Sequence, residues 1–204
     1  MRKIFLSSSF KDVANLLARL ESNLQGKTVT FIPTASIVEA VTFYVKSGRK
    51  ALEKMGLIVD ELEISTAAQT DIADKLARND YIYVSGGNTF FLLQELKRCG
   101  ADKIIREQVN AGKLYIGESA GSIVAAPDIT YAAAMDSMKK APGLENCAGL
   151  GLVDFYTVPH CTNVPFKRAA EKIIAQYGET LTLRPISNNE ALLVCGDEVE
   201  VRGN

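Results

Sequence analysis

The stretch DYIYVSGGNT, Asp80 to Thr89, holds four consecutive apolar positions and then breaks on two glycines. A run without polar alternation is a strand covered on both faces, which a sheet acquires when helices pack on each side of it. Residues 89–98 then carry helical spacing, and Asn88 or Thr89 is the residue type that caps a helix start. The same alternation recurs in both directions. Toward the N-terminus, KIFLSSS (3–9), KTVTFIPTA (27–35) and LIVDELEIS (57–65) are β-like, with helical patterns over 11–25, 37–55 and 70–79. Toward the C-terminus come a helix over 102–111, KLYIG (113–117), a helix over 119–126 and an irregular stretch over 127–152. FYTVPH (155–160), a helix over 166–177 and closing strands near 180–185 and 190–202 complete the chain. Alternating β and α elements with continuously apolar strands predict an α/β fold: a three-layer, doubly wound, mostly parallel sheet with helices on both faces.

With 204 residues, the chain is expected to form one domain over 1–204 around one core. Lys and Arg total 23 against 24 Asp and Glu, so no net field draws a polyanion, and no basic run is interleaved with aromatics. Nucleic acid is therefore not an expected partner. Cys99, Cys147, Cys161 and Cys195 lie far apart without a C-x-x-C pair, which argues against a zinc site or a redox dithiol. The early apolar run, Ile4-Phe5-Leu6, is too short for a signal-peptide core or a membrane span. A cytoplasmic protein without a membrane partner is the expectation.

In open α/β sheets ligands bind beyond the carboxyl ends of the strands, and three such ends carry chemistry here. The first is YIGESAGS (115–122), where Ser119 sits between Gly117 and Gly121 at a strand-to-helix turn. That setting lifts a serine hydroxyl clear of the sheet, and Ala120 supplies an N–H beside it. The second is VSGGNT (84–89), whose Gly86, Gly87 and Asn88 offer backbone and side-chain donors. The third is TVPHCTN (157–163), which carries His160, the only histidine. A single G-x-S-x-G occurs in many unrelated chains, and an isolated histidine is more often filler than catalytic. The weight lies in their combination: a hydroxyl nucleophile, a base titrating near neutrality and backbone donors for an oxyanion are what acyl transfer needs. A carboxylate should orient the imidazole. Asp128, Asp136, Asp154 and Glu190 are the candidates, and spacing does not choose among them.

The segments YIGESAGS, VSGGNT and VPHCTN together resemble the aspartyl dipeptidase (dipeptidase E) family of serine peptidases, and the resemblance spans most of the chain. It implies a class I glutamine amidotransferase-like, flavodoxin-like fold and a Ser-His-carboxylate triad. Carried over, it makes Ser119 the nucleophile and His160 the general base and acid. The amides of Gly87 and Ala120 become the oxyanion hole, with Gly86 and Asn88 beside them. The family's acid lies in the segment after the serine helix, where YAAAMDS (131–137) places Asp136. The implied activity is hydrolysis of short peptides through an acyl-enzyme, with no metal and no cofactor. Two differences stand out: Glu118 occupies a position that is aromatic in characterised dipeptidases, and CTNVPFKRAAEKI (161–173) keeps Lys167 and Arg168 without the Gly- and Arg-containing pattern tied to an N-terminal aspartate. Residues 127–152 are expected to wall the pocket against folded proteins. A homodimer stays open. The rival readings are an esterase or amidase with the same triad, and a non-catalytic flavodoxin-like module holding a phosphate at SSSF (7–10) or SGGNT (85–89).

Overall fold

A computed structural model describes residues 1–204. Its strands are β1 (Lys3–Ser7), β2 (Thr28–Ile32), β3 (Ile58–Glu61), β4 (Tyr81–Val84), β5 (Leu114–Glu118), β6 (Tyr156–Val158), β7 (Leu183–Pro185), β8 (Glu190–Cys195) and β9 (Glu198–Gly203). Seven of them form one sheet in the order β3-β2-β4-β5-β1-β8-β9. The first five run parallel, and the β8–β9 hairpin closes the sheet antiparallel to β1. The closing stretch over 190–202 is therefore two strands, turning at Gly196, whose φ of +63° suits a residue without a Cβ. FYTVPH does not join the main sheet. β6 pairs only with β7, in a separate two-stranded parallel sheet.

The apolar runs alternate between two cores, as the period-2 geometry of a strand requires. Ile4, Leu6, Ile32, Ile82, Val84 and Tyr115 face one layer of helices. Phe5, Phe31, Tyr81, Tyr83, Leu114 and Ile116 face the other. The helices are α1 (Phe10–Val13), α2 (Phe43–Lys54), α3 (Gln69–Arg78), α4 (Thr89–Arg98), α5 (Ala101–Asn110), α6 (Ala120–Ile123) and α7 (Lys167–Tyr177). α3, α4, α5, α6 and α7 feed the first core, while α1 and α2 feed the second. The three-layer, mostly parallel α/β architecture is thus present.

Three helices are shorter than their sequence patterns. The 11–25 pattern yields α1 followed by a 3₁₀ segment over Ala14–Arg19, which still buries Leu16 and Leu17. Residues 37–42 stay outside α2, because Ile37 and Val41 are exposed, so no apolar stripe rewards winding this β-branched run into a helix. The 119–126 pattern keeps only α6, since Val124 to Ala126 turn away to pair with residues 150–153.

Candidate functional site

The carboxyl end of β5 turns sharply into α6 at Ser119, whose φ of +50° is left-handed for a residue with a Cβ. The turn persists because its surroundings overdetermine it. Ser119 N–H donates to the Ser7 carbonyl at 2.8 Å, and Ser122 Oγ donates to the Ser7 and Gly117 carbonyls while accepting from Ser7 N–H. Gly117 and Gly121 make this closeness feasible: a Cβ on Gly121 would stand 2.1 Å from the Val84 carbonyl oxygen, and one on Gly117 2.6 Å from that of Gly121. The two glycines of the G-x-S-x-G pattern are thus packing requirements of β4, β5 and α6.

His160 follows β6 and also has positive φ, +59°. Its N–H donates to Ser8 Oγ at 2.9 Å, and Ser8 Oγ donates in turn to the Ile186 carbonyl beyond β7. Ser7 therefore serves the elbow and Ser8 the histidine, so the SSS run is spent on architecture; a phosphate cradle there would need those groups free. The imidazole Nε2 lies 3.0 Å from Ser119 Oγ. Its Nδ1 lies 2.7 Å from Asn188 Oδ1. An amide oxygen only accepts, which places the proton on Nδ1 and turns the Nε2 lone pair to the serine hydroxyl. Burial is the main cause holding the imidazole below its ordinary pKa; the Asn188 hydrogen bond works the other way.

The expected carboxylate partner is corrected by this geometry. Asp136 accepts hydrogen bonds from Thr89 N–H at 2.9 Å and Thr89 Oγ1 at 2.5 Å, and so pins the segment after α6 to the start of α4. An acid at a helix N-terminus meets unpaired N–H groups and the positive end of the dipole. Asp128 accepts from Thr130 N–H in a local turn, Glu190 from Ser187 N–H, and Asp154 is exposed. Asn188 is an amide and so is not among the carboxylates that the sequence offers as the partner of the imidazole. The available signal was its place: SNN (187–189) follows β7, and PHCTN supplies its anchor, since Asn188 N–H donates to Asn163 Oδ1 at 2.9 Å.

The residues of SGGNT divide. Gly86 lies against the serine: a Cβ there would stand 3.2 Å from Ser119 Cβ and 3.7 Å from Ser119 Oγ. Gly87 has φ +137° and its missing Cβ would collide with the Ala35 carbonyl at 2.1 Å; its N–H donates to no group in the chain. Asn88 is the cap of α4, accepting from Phe91 N–H and donating to the Ser137 carbonyl. Its side chain is thereby committed to the scaffold. Ala120 begins α6, where the first N–H groups have no intrahelical acceptor.

Glu118, next to Ser119, points the opposite way along the strand and is buried. It accepts from Phe10 N–H at 2.9 Å and Tyr83 OH at 2.6 Å, yet burial raises its pKa to about 7. It caps backbone and anchors Tyr83, and it does not line the serine's side of the turn. No group of three His, Cys, Asp or Glu side chains converges where it could hold a metal ion. No helix is long and apolar enough to cross a membrane.

Known proteins share the sequence and fold of this chain. The model of peptidase family S51 matches residues 4–202. A Listeria innocua protein named uncharacterized peptidase Lin0382 is 60% identical over 199 residues, covering 98% of this chain and 95% of its own length. Peptidase E of Haemophilus influenzae is 33% identical over 129 residues, 60% of this chain and 57% of that protein. A crystal structure from Listeria monocytogenes EGD-e superposes with a TM-score of 0.96 at 58% identity, covering 100% of this chain and 99% of that one. The chain is a peptidase and belongs to family S51.

Proposed function

We propose that the protein is a serine peptidase that hydrolyses short peptides through an acyl-enzyme, with Ser119 as nucleophile and His160 as base and acid. The observation that carries this reading is the continuous line from Ser119 Oγ through both imidazole nitrogens to Asn188 Oδ1, at 3.0 and 2.7 Å. In the first half-reaction His160 Nε2 takes the hydroxyl proton as Ser119 Oγ bonds to the peptide carbonyl carbon. The N–H groups of Gly87 and Ala120 receive the oxyanion, and His160 returns the proton to the departing amine. Water then repeats the sequence on the ester, releasing the acid and restoring the serine. Asn188 holds the neutral tautomer without adding a charge, so the imidazolium formed during attack rests on a dipole alone.

The preference for short substrates is supported by family membership and by residues 127–152, which are docked on α4 through Asp136–Thr89, Gly143–Gln94 and Asn146–Lys97 contacts. The test is covalent labelling of Ser119 by a serine-directed fluorophosphonate, followed by a panel of dipeptides, longer peptides, esters and casein. Labelling with dipeptide cleavage supports the reading. Ester cleavage without peptide cleavage would replace it by an esterase, and an unlabelled Ser119 would remove the nucleophile.

A further inference from the structure

The imidazole ring of His160 makes two hydrogen bonds, one at each nitrogen. Such bonds fix where the nitrogens sit but leave the ring soft toward rocking about the line joining Nδ1 and Nε2. Something must hold its faces. Phe166 stacks on one of them, with ring centroids 5.0 Å apart and planes inclined by 27°. The backbone that carries the half-buried phenyl group is anchored: Phe166 is the residue before α7, its carbonyl accepts from Ala170 N–H at 2.9 Å, and Ala170 is fully buried. Asn163, three residues earlier, accepts from Asn188 N–H and donates its own N–H to the His160 carbonyl. One short segment, 160–166, thus carries the imidazole, the anchor of its polar partner and the ring on its face.

We infer that Phe166 is the positioning residue of this site: it sets the tilt of the imidazole between Ser119 and Asn188 and closes one ring face to water. Nothing in the sequence patterns marks it. The inference concerns the site proposed above, and only its kinetic arm rests on the peptidase reading. A ring lying on the imidazole removes water from it without offering charge, consistent with burial as the leading influence on His160. The ionisable groups on the surrounding elements are engaged or displaced from the ring: Glu118 with Tyr83 and Phe10, Glu190 with Ser187, and Lys167 with Glu171 at 3.9 Å. Cys161, beside His160, has its thiol pKa raised by burial, and Arg168 on α7 is exposed.

The chain has one histidine, so the imidazole of tag-free protein gives an unambiguous proton NMR titration whether or not any peptide is cleaved. In the wild-type protein its ring protons should be displaced upfield by the Phe166 ring current, and its midpoint should lie below that of free imidazole side chains. Phe166→Leu should abolish the displacement and move the midpoint upward; Phe166→Tyr, which keeps the ring, should preserve both. On a cleavable dipeptide, Phe166→Leu should lower kcat about tenfold with KM little changed, and its acid limb should move up with the NMR midpoint. Wild-type ring protons at ordinary shifts would overturn the inference without any variant, which covers the case in which Phe166→Leu does not fold. A folded Phe166→Leu that titrates like wild type would overturn it as well. Wild-type protein that cleaves no short peptide would sink the proposed function and leave both NMR outcomes decisive.

Discussion

The serine and the histidine reach each other from two unlike supports. Ser119 stands on the central sheet, at the end of a strand flanked by β1 and β4, in a turn where Gly117 and Gly121 are pressed against neighbouring backbone. His160 stands on the small β6–β7 sheet, beside a segment whose Val164 is 88% exposed. The elbow is therefore specified by packing and the histidine corner by a few hydrogen bonds. Ser8 is the strut between them, because its hydroxyl serves the histidine while its neighbour Ser7 serves the elbow.

The contrast breaks most sharply under substitution of the two named groups. His160→Ala should lower kcat/KM by about 10⁴- to 10⁶-fold with thermal unfolding little changed, because the ring contributes chemistry more than core. Next come small additions of volume. Gly121→Ala must displace the Val84 carbonyl and is expected to cost about 3 kcal/mol or prevent folding, whereas Val164→Ala should stay within about 0.5 kcal/mol in the same urea titration. Comparable losses at the two positions would show that the corner is packed as tightly as the elbow.

What the sequence made legible follows the same division. Continuous apolar strands announced the parallel sheet, and G-x-S-x-G between a strand and a helix announced the elbow, because both are local patterns with a packing cause. The strand before His160 was legible, but not its separation from the main sheet, which depends on pairing with β7 some 25 residues later. The place of Asp136 after the serine helix points to the imidazole, yet the acid serves Thr89 because the start of α4 offers a capping site within reach. Asn188 was invisible, since nothing local distinguishes an asparagine that orients a ring from one that ends a turn. Phe166 was invisible too, its role being a matter of which face it covers.

The buried Glu118 gives a subtler separation between elbow chemistry and elbow stability. With a folded pKa near 7 against an ordinary 4.5, the group favours the folded state fully below pH 4.5. That contribution is lost as pH rises through 7, and its size is on the order of 3 kcal/mol. Glu118→Gln should flatten the stability profile between pH 4.5 and 7, read by urea unfolding. An unaltered slope would place the ionisation elsewhere. Activity should follow the opposite sign in the acid range: kcat/KM rises as His160 loses its proton, with a midpoint below 6.5 because burial depresses it. A smaller effect is expected of Asp136→Asn, which keeps one acceptor for Thr89 and should cost about 1 kcal/mol of stability.

The central claim is that an amide, not a carboxylate, orients the catalytic imidazole. Its most direct measurement is kcat on one cleavable dipeptide for Asn188→Ala beside Asp136→Asn. Asn188→Ala should fall by about 10²-fold, from loss of ring orientation, and Asp136→Asn by no more than a few-fold. A collapse of Asp136→Asn with Asn188→Ala near wild type would contradict it.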